Sequence, residues 1–123
     1  MSKIKVLIVD DNEEIANFIK IVLESYELID IVAVCFSDED ERRLIDKLKP
    51  DIVITDLVRN GIQSGLEIIK MYKSKCEIPK FLVITSEDFK VEYIELIDGF
   101  IRKPIINYKL ILKELGKIID EIR

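Results

Sequence analysis

Strand-like and helix-like patterns alternate five times along this chain of 123 residues. Apolar runs rich in β-branched residues predict five short strands, and apolar residues at helical spacing follow each run. The predicted strands are Lys3–Val9, Leu28–Phe36, the Asp51–Leu57 stretch, Lys80–Thr85 and Gly99–Arg102, and the predicted helices are Asn12–Ser25, Ser37–Leu48, Ser64–Lys75, Glu87–Leu96 and Asn107–Ile122. In a single domain this order predicts a doubly wound α/β fold, in which helices cover both faces of a parallel sheet.

The composition is that of an ordinary globular domain, so we expect residues 1–123 to form a single unit. Hydrophobic residues make up 49% of the chain and charged residues 35%, which excludes the disordered and membrane-spanning classes. No apolar run approaches the roughly 20 residues of a membrane helix. Because the N-terminus leads into a strand pattern and not into a signal peptide, a cytoplasmic location is expected.

Charge and residue usage exclude several kinds of function. The formal net charge of -5 argues against nucleic acid or an anionic membrane as a direct partner. The chain contains no histidine, which excludes Ser-His-Asp and Cys-His catalysis and zinc bound through histidine. Cys35 and Cys76 have neither the spacing of a metal site nor that of a disulfide framework.

The first two predicted helices begin with capping and charge signals. Asp11, followed three residues later by Glu14, fits a variant of the capping box for the first helix, whose inner stripe includes Phe18. Ser37 opens the second helix, and the acidic run Asp38–Glu41 fills its first turn, where the helix dipole favours anions. This run is expected to face solvent as a hydrated helix start.

Polar side chains follow four of the predicted strands at the point where each strand ends. They are Asp10 and Asp11 after the first strand, Asp56 at the end of the third, Thr85 and Ser86 at the fourth, and Lys103 with Pro104 after the fifth. Because parallel strands end at one edge of a sheet, we expect these side chains to converge there. Each has an ordinary explanation alone, as a turn residue, a helix cap or a solvated charge. Their joint placement favours a functional site.

Three carboxylates that converge in this way repel one another unless a cation relieves the crowding. Ligand sets made only of oxygen select Mg²⁺, Mn²⁺ or Ca²⁺ over zinc, and Mg²⁺ commonly shares its remaining positions with water and phosphate. Such parts suit phosphoryl transfer, in which one carboxylate attacks while cations neutralise the phosphoryl oxygens. The expected roles are nucleophile for Asp56, metal ligands for Asp10 and Asp11, and phosphoryl contacts for Lys103 and Thr85.

Two further features are Gly65 at the start of the third predicted helix and the Gly99–Pro104 segment after the fourth predicted helix. Together with the polar residues at the strand ends, they make the chain resemble the receiver domain of two-component response regulators. The resemblance spans nearly the full length and implies a CheY-like, flavodoxin-like fold with five helices and the sheet order 2-1-3-4-5. It also implies a Mg²⁺-dependent phosphoacceptor at Asp56, whose carboxylate contacts the metal as well. A histidine kinase or a phosphotransfer protein would charge it in phosphorelay signal transduction.

The resemblance implies further roles at the same edge. Asp11 would bind the metal directly, Asp10 largely through water, and Val58 through its backbone carbonyl. Phosphorylation would draw Thr85 towards the phosphoryl group and let Phe100 turn inward. The face made by the fourth helix, the fifth strand and the last helix would then change its affinity for a downstream protein or an output domain, and homodimerisation stays open.

Three features depart from the usual pattern of the family. The loop Leu57–Gly65 lacks the usual proline and is one residue longer. The connection between Thr85 and Lys103 is about one helical turn shorter than usual, which predicts a truncated or irregular fourth helix. Phe100 stands where many relatives have tyrosine, so this switch residue would repack without a hydroxyl hydrogen bond.

Two other functions are compatible with parts of the pattern. A pseudo-receiver would keep the fold as a protein-interaction module that no longer switches by phosphorylation; the altered loop favours it, and the intact acids argue against it. An aspartyl-phosphate phosphatase of the haloacid dehalogenase type would also use a strand-end aspartate and Mg²⁺. That class needs a second aspartate two residues after the nucleophile Asp56, where this chain has Val58, so it is disfavoured.

Overall fold

The computed structural model describes residues 3–59, 64–74, 78–86 and 91–122. Within these residues, five parallel strands form one sheet in the order β2-β1-β3-β4-β5. The strands are β1 Ile4–Val9, β2 Ile29–Cys35, β3 Ile52–Thr55, β4 Lys80–Thr85 and β5 Gly99–Arg102. The predicted strands, the sheet order 2-1-3-4-5 and the flavodoxin-like fold are confirmed.

Four α-helices and one 3-10 helix pack around the sheet in this part of the chain. They are α1 Glu13–Glu24, α2 Asp38–Leu48, α3 Ser64–Lys73, the 3-10 helix Val91–Leu96 and α4 Lys109–Ile122. The fourth of the five predicted helices is the 3-10 helix, a tighter element in the short connection between β4 and β5, which agrees with the prediction of a truncated or irregular fourth helix. The predicted start of that helix, residues 87–90, lies outside the described residues. None of the described helices is both long and apolar enough to cross a membrane.

Side-chain alternation along β1 divides the core into two layers. Val6 and Ile8 belong to the apolar cluster that includes residues of α1 and α4, whereas Leu7 and Val9 belong to the cluster with α2 and α3. All four side chains are buried because helices cover both faces of the sheet. A central parallel strand in this position must be apolar along its whole length, which explains the continuous apolar run.

The helix caps position the residues that follow β1. The cap of α1 is Asn12, whose side-chain oxygen accepts hydrogen bonds from the backbone N–H groups of Glu14 at 3.0 Å and Ile15 at 3.2 Å. The predicted capping role of Asp11 is therefore wrong, since the helix begins one residue later and leaves Asp11 in the turn before it. Ser37 caps α2 as predicted.

The two outer strands of the sheet are irregular or short. The register of β2 against β1 slips by one residue between Val6 and Leu7, so the ladder passes over Val32. At the other margin, β5 has only four residues. Asp30 on β2 and Arg102 on β5 are exposed, which places a charged side chain on each margin of the sheet.

Candidate functional site

The structure brings Asp10, Asp56 and Lys103 together at the carboxyl edge of the sheet. The Lys103 ammonium donates to Asp10 Oδ2 at 2.9 Å and to Asp56 Oδ2 at 2.7 Å. Both acids are nearly buried, with 1% and 6% of their surface exposed. One ammonium group thus bridges two carboxylates that follow different strands.

Asp11 adds a third carboxylate at this edge. One carboxylate oxygen each from Asp10, Asp11 and Asp56 lies within 4.8 Å of the other two, and Asp11 is exposed. Two of the three acids share the positive charge of Lys103, so the group as a whole carries excess negative charge. The all-oxygen donor set and this excess charge fit a hard divalent cation such as Mg²⁺.

Burial and charge both act on the acid–base properties of the site. Burial raises the pKa of Asp10, although hydrogen bonds from the Asn12 N–H and from Lys103 act in the opposite direction. Burial by itself would lower the pKa of Lys103, but the hydrogen bonds to Asp56 and Asp10 outweigh it and raise that pKa. Lys103 therefore stays positively charged at neutral pH and is suited to bind an anion.

Backbone donors hold the two buried carboxylates in place. The Asn12 N–H donates to Asp10 Oδ1 at 2.9 Å, and the Val58 N–H donates to Asp56 Oδ1 at 3.2 Å. Each carboxylate thus receives a backbone hydrogen bond on one oxygen and the Lys103 ammonium on the other. Val58 is half-buried beside Asp56, and its role as a carbonyl ligand stays a prediction.

Thr85 and Phe100, the predicted switch residues, lie on adjacent strands. Thr85 is fully buried at the end of β4, and its carbonyl accepts a hydrogen bond from the Lys103 N–H at 2.9 Å. Ser86, the next residue, is exposed. Phe100 on β5 pairs with Val83 in the ladder and packs, half-buried, against the apolar cluster of α2 and α3. The switch roles of Thr85 and Phe100 stay predictions.

Gly65, in the first turn of α3, packs directly against the backbone that follows β3. Its N–H donates to the Leu57 carbonyl at 3.0 Å. A Cβ atom at this position would lie 2.4 Å from the Asp56 carbonyl oxygen and 2.9 Å from Leu57 Cα. Glycine is required here because no larger residue allows such a close approach. The loop between β3 and α3 includes residues 60–63, which lie outside the described residues. The prediction that this loop is one residue longer than usual therefore stays a prediction.

Gly65→Ala is expected to lower the free energy of unfolding by about 1–3 kcal/mol, because backbone atoms must move to admit the methyl group. Gly116→Ala in α4 is the matched control, since a Cβ atom there meets nothing within 4 Å. Alanine in a helix interior is more favourable than glycine by about 0.5–1 kcal/mol, so the control should gain stability. Urea denaturation measures both variants, and equal stability of the two would contradict the close approach.

A buried cation, Arg59, lies beneath the site and is absent from the residues predicted from the sequence. Its side chain is 3% exposed, and Nη1 lies 2.5 Å from Asp38 Oδ1 and 2.5 Å from Glu41 Oε1. Nη2 donates to the Asp56 carbonyl at 3.0 Å and to the Thr55 hydroxyl. Arg59 therefore joins the first turn of α2 to the end of β3.

Glu41 corrects the prediction that the whole acidic run at the start of α2 faces solvent. It is completely buried, and burial raises its pKa to about 7 against the opposing charge of Arg59. Its charged partner is the Arg59 guanidinium, whose Nη1 lies 2.5 Å from Oε1. Glu41 lies on the same helical stripe as Ile45 and Leu48, and this spacing was the signal in the sequence for its burial.

An apolar groove of about 460 Å³ opens beside Lys103. Its lining residues are Glu14, Ile15, Phe18, Ser86, Lys103, Pro104 and Ile105. Phe18, predicted to face inward, is 41% exposed because the buried stripe of α1 runs through Ala16 and Ile19 instead. The polar site is therefore bordered by an accessible apolar surface.

Comparison with known proteins identifies the class that this fold and site define. The family model of the response regulator receiver domain matches residues 6–114. The chain therefore belongs to the receiver domain family of response regulators, the regulatory modules of two-component signalling.

Curated relatives share sequence similarity with nearly the whole chain. The protein-glutamate methylesterase/protein-glutamine glutaminase of Methanococcus maripaludis is 30% identical over 100% of this chain and 35% of its own length. The transcriptional regulatory protein LiaR of Bacillus subtilis is 30% identical over 98% of this chain and 54% of its own length. The chain thus spans about half, or less, of the length of these relatives.

Solved structures of receiver domains share the fold. The response regulatory domain of protein mrkE from Klebsiella pneumoniae matches with a TM-score of 0.84 at 21% identity, covering 96% of this chain and 97% of that one. The response regulator domain of Thermotoga maritima CheB matches with a TM-score of 0.76 at 24% identity, covering 96% and 95%. At these identities the similarity establishes the architecture.

Proposed function

We propose that the chain is a Mg²⁺-dependent phosphoacceptor whose reactive group is the Asp56 carboxylate. The observation that carries this proposal is the nearly buried Asp56 held 2.7 Å from the Lys103 ammonium, with Asp10 and Asp11 beside it. The group combines a nucleophile, a permanent positive charge for a phosphoryl oxygen, and an acidic site for a divalent cation.

In the proposed reaction, an Asp56 oxygen attacks the phosphorus of a phosphohistidine on a histidine kinase or a phosphotransfer protein. A bond forms between carboxylate oxygen and phosphorus while the phosphorus–nitrogen bond breaks, and the leaving imidazole nitrogen keeps the electron pair. Lys103 neutralises one phosphoryl oxygen, and the Thr85 hydroxyl donates to another. The histidine must come from the partner because this chain has none.

The carboxylates around Asp56 would hold the metal. Asp11 would bind it directly, Asp10 largely through water, and the Asp56 carboxylate and the Val58 carbonyl would complete the protein ligands. When bound, Mg²⁺ neutralises the charge that develops on the phosphoryl oxygens. Asp10 also keeps the Lys103 ammonium at the site, through the hydrogen bond of 2.9 Å.

The apolar groove beside Lys103 offers a protein donor a binding surface next to Asp56. We propose that this encounter takes place in the cytoplasm. After transfer, Thr85 and Phe100 would shift and change the face made by the 3-10 helix, β5 and α4. A downstream protein, an output domain or a second copy of the chain would read that change. The curated relatives are longer than this chain, which is compatible with an output domain on the same polypeptide.

Incubation of the purified protein with a small acyl phosphate tests the proposal. With Mg²⁺ present, intact-protein mass spectrometry should show about one phosphoryl group per chain, and EDTA should prevent the adduct. A folded protein that binds Mg²⁺ but accepts no phosphoryl group from a small donor or a kinase would indicate a pseudo-receiver. Steady turnover of a phosphomonoester would instead support the phosphatase class.

A further inference from the structure

The Arg59 side chain, in the loop after β3, turns back onto the end of that strand. Its Nη2 donates to the carbonyl of Asp56 at 3.0 Å and to the hydroxyl of Thr55. The Thr55 hydroxyl in turn donates to the same Asp56 carbonyl at 3.1 Å. The backbone carbonyl of Asp56 therefore accepts hydrogen bonds from both Arg59 and Thr55, whereas the Asp56 carboxylate points towards Lys103.

The other half of the guanidinium is anchored on the neighbouring helix. Nη1 contacts Asp38 and Glu41 in the first turn of α2, and the Ser64 hydroxyl at the start of α3 also hydrogen-bonds Asp38. The planar fork of arginine can make all these contacts at once, which a lysine cannot. Buried ion pairs are generally no more stable than apolar packing of the same volume, so stability alone does not account for this arrangement.

We infer, on the basis of the proposed function, that Arg59 is a positioning residue for the divalent-cation site. Its contacts connect the Asp56–Val58 turn with the start of α2. The Asp56 carboxylate and the Val58 peptide therefore keep their positions opposite Asp10. Without the fork, the Asp56 carbonyl loses one of its two donors and the turn gains freedom to rotate. The carboxylates would then have to be reordered each time a cation binds, which weakens binding.

The double variant Arg59→Met/Glu41→Met tests this inference, because it replaces the buried ion pair by apolar side chains. The remaining carboxylate, Asp38, is 37% exposed and keeps its hydrogen bond from Ser64, so no buried charge is left unpaired. Titration calorimetry should show Mg²⁺ binding about ten-fold to about a hundred-fold weaker than in the wild type, as for other groups that orient metal ligands. Its thermal unfolding midpoint should stay close to that of the wild type. Phosphoryl acceptance should fall at low Mg²⁺ and recover at saturating Mg²⁺.

Two further variants make the result specific. Lys73→Met removes a shielded ion pair, Lys73 with Asp98 at 2.8 Å, from the opposite edge of the sheet and should leave Mg²⁺ affinity unchanged. Arg59→Lys keeps a positive charge beside Glu41 but lacks the fork, so it should lose affinity as the double variant does.

The outcomes separate this inference from the proposed function. Wild-type protein that binds Mg²⁺ and accepts a phosphoryl group, together with folded Arg59 variants of equal Mg²⁺ affinity, would overturn the positioning role alone. Wild-type protein that neither binds Mg²⁺ nor accepts a phosphoryl group would overturn the proposed function, and the positioning role with it.

Discussion

Asp56→Asn should abolish phosphorylation, from about one phosphoryl group per chain to none, because an amide oxygen is too weak a nucleophile for this reaction. The substitution preserves the shape of the side chain, and Lys103 keeps Asp10 as a partner at 2.9 Å. It also removes one of three crowded negative charges, so the folded state should be at least as stable as the wild type. Intact-protein mass spectrometry after treatment with an acyl phosphate and Mg²⁺ measures the adduct, and urea denaturation measures stability.

Asp30→Asn is the matched control, since it makes the same chemical change at an exposed position on β2. This variant should be phosphorylated to the same extent as the wild type. An Asp56→Asn protein that still gains a full phosphoryl group would show that another residue is the acceptor. The assignment of the nucleophile would then be wrong.

Arg59→Met alone should destabilise the fold by about 3–5 kcal/mol, because it leaves the Glu41 carboxylate buried without a compensating charge. Protonation of Glu41 would relieve this charge near neutral pH, because its pKa in the folded wild type is already about 7. At about pH 10 protonation costs about 4 kcal/mol, at about 1.4 kcal/mol per pKa unit, and no longer offers a cheaper escape. Urea denaturation of the single variant, compared with the wild type at this pH, measures the loss.

The loss should disappear when both charges are removed together. The free energy of unfolding of Arg59→Met/Glu41→Met should lie within about 1 kcal/mol of the wild-type value or above it. The reason is that buried ion pairs and apolar replacements of similar volume are often equivalent in stability. The two substitutions are therefore expected to be strongly non-additive. Additive losses, or a single variant that loses less than about 1 kcal/mol, would contradict a tightly coupled pair.

The parts of the fold that could be predicted are those where one physical requirement dominates. β1, β3 and β4 are covered on both faces, so every residue from Val6 to Val9 has to be apolar and the run stands out in the sequence. The convergence of Asp10, Asp56 and Lys103 follows from topology, because parallel strands deliver their last residues to one edge. Both were accessible without any knowledge of side-chain packing.

The features that were missed depend on tertiary contacts between distant segments. The charge of Glu41 predicts a solvent-exposed side chain, although its helical position points inward. Only its pairing with Arg59, from the loop after β3, makes burial tolerable. Asn12 and Asp11 are adjacent and both suited to cap a helix. Which of the two caps α1 depends on the residue at which the helix begins after β1. The 3-10 helix could be anticipated as a shortened element, but its hydrogen-bonding type depends on packing between β4 and β5.

The margins of the sheet bear on how copies of this chain can associate. A long, regular outer strand is a template on which another molecule can add a strand and start fibrous aggregation. Here the slip beside Val32 disturbs one margin, the other is only four residues long, and Asp30 and Arg102 place charge at both. Such margins discourage a continuous intermolecular sheet, so a self-complex of this protein is expected to form through its helices.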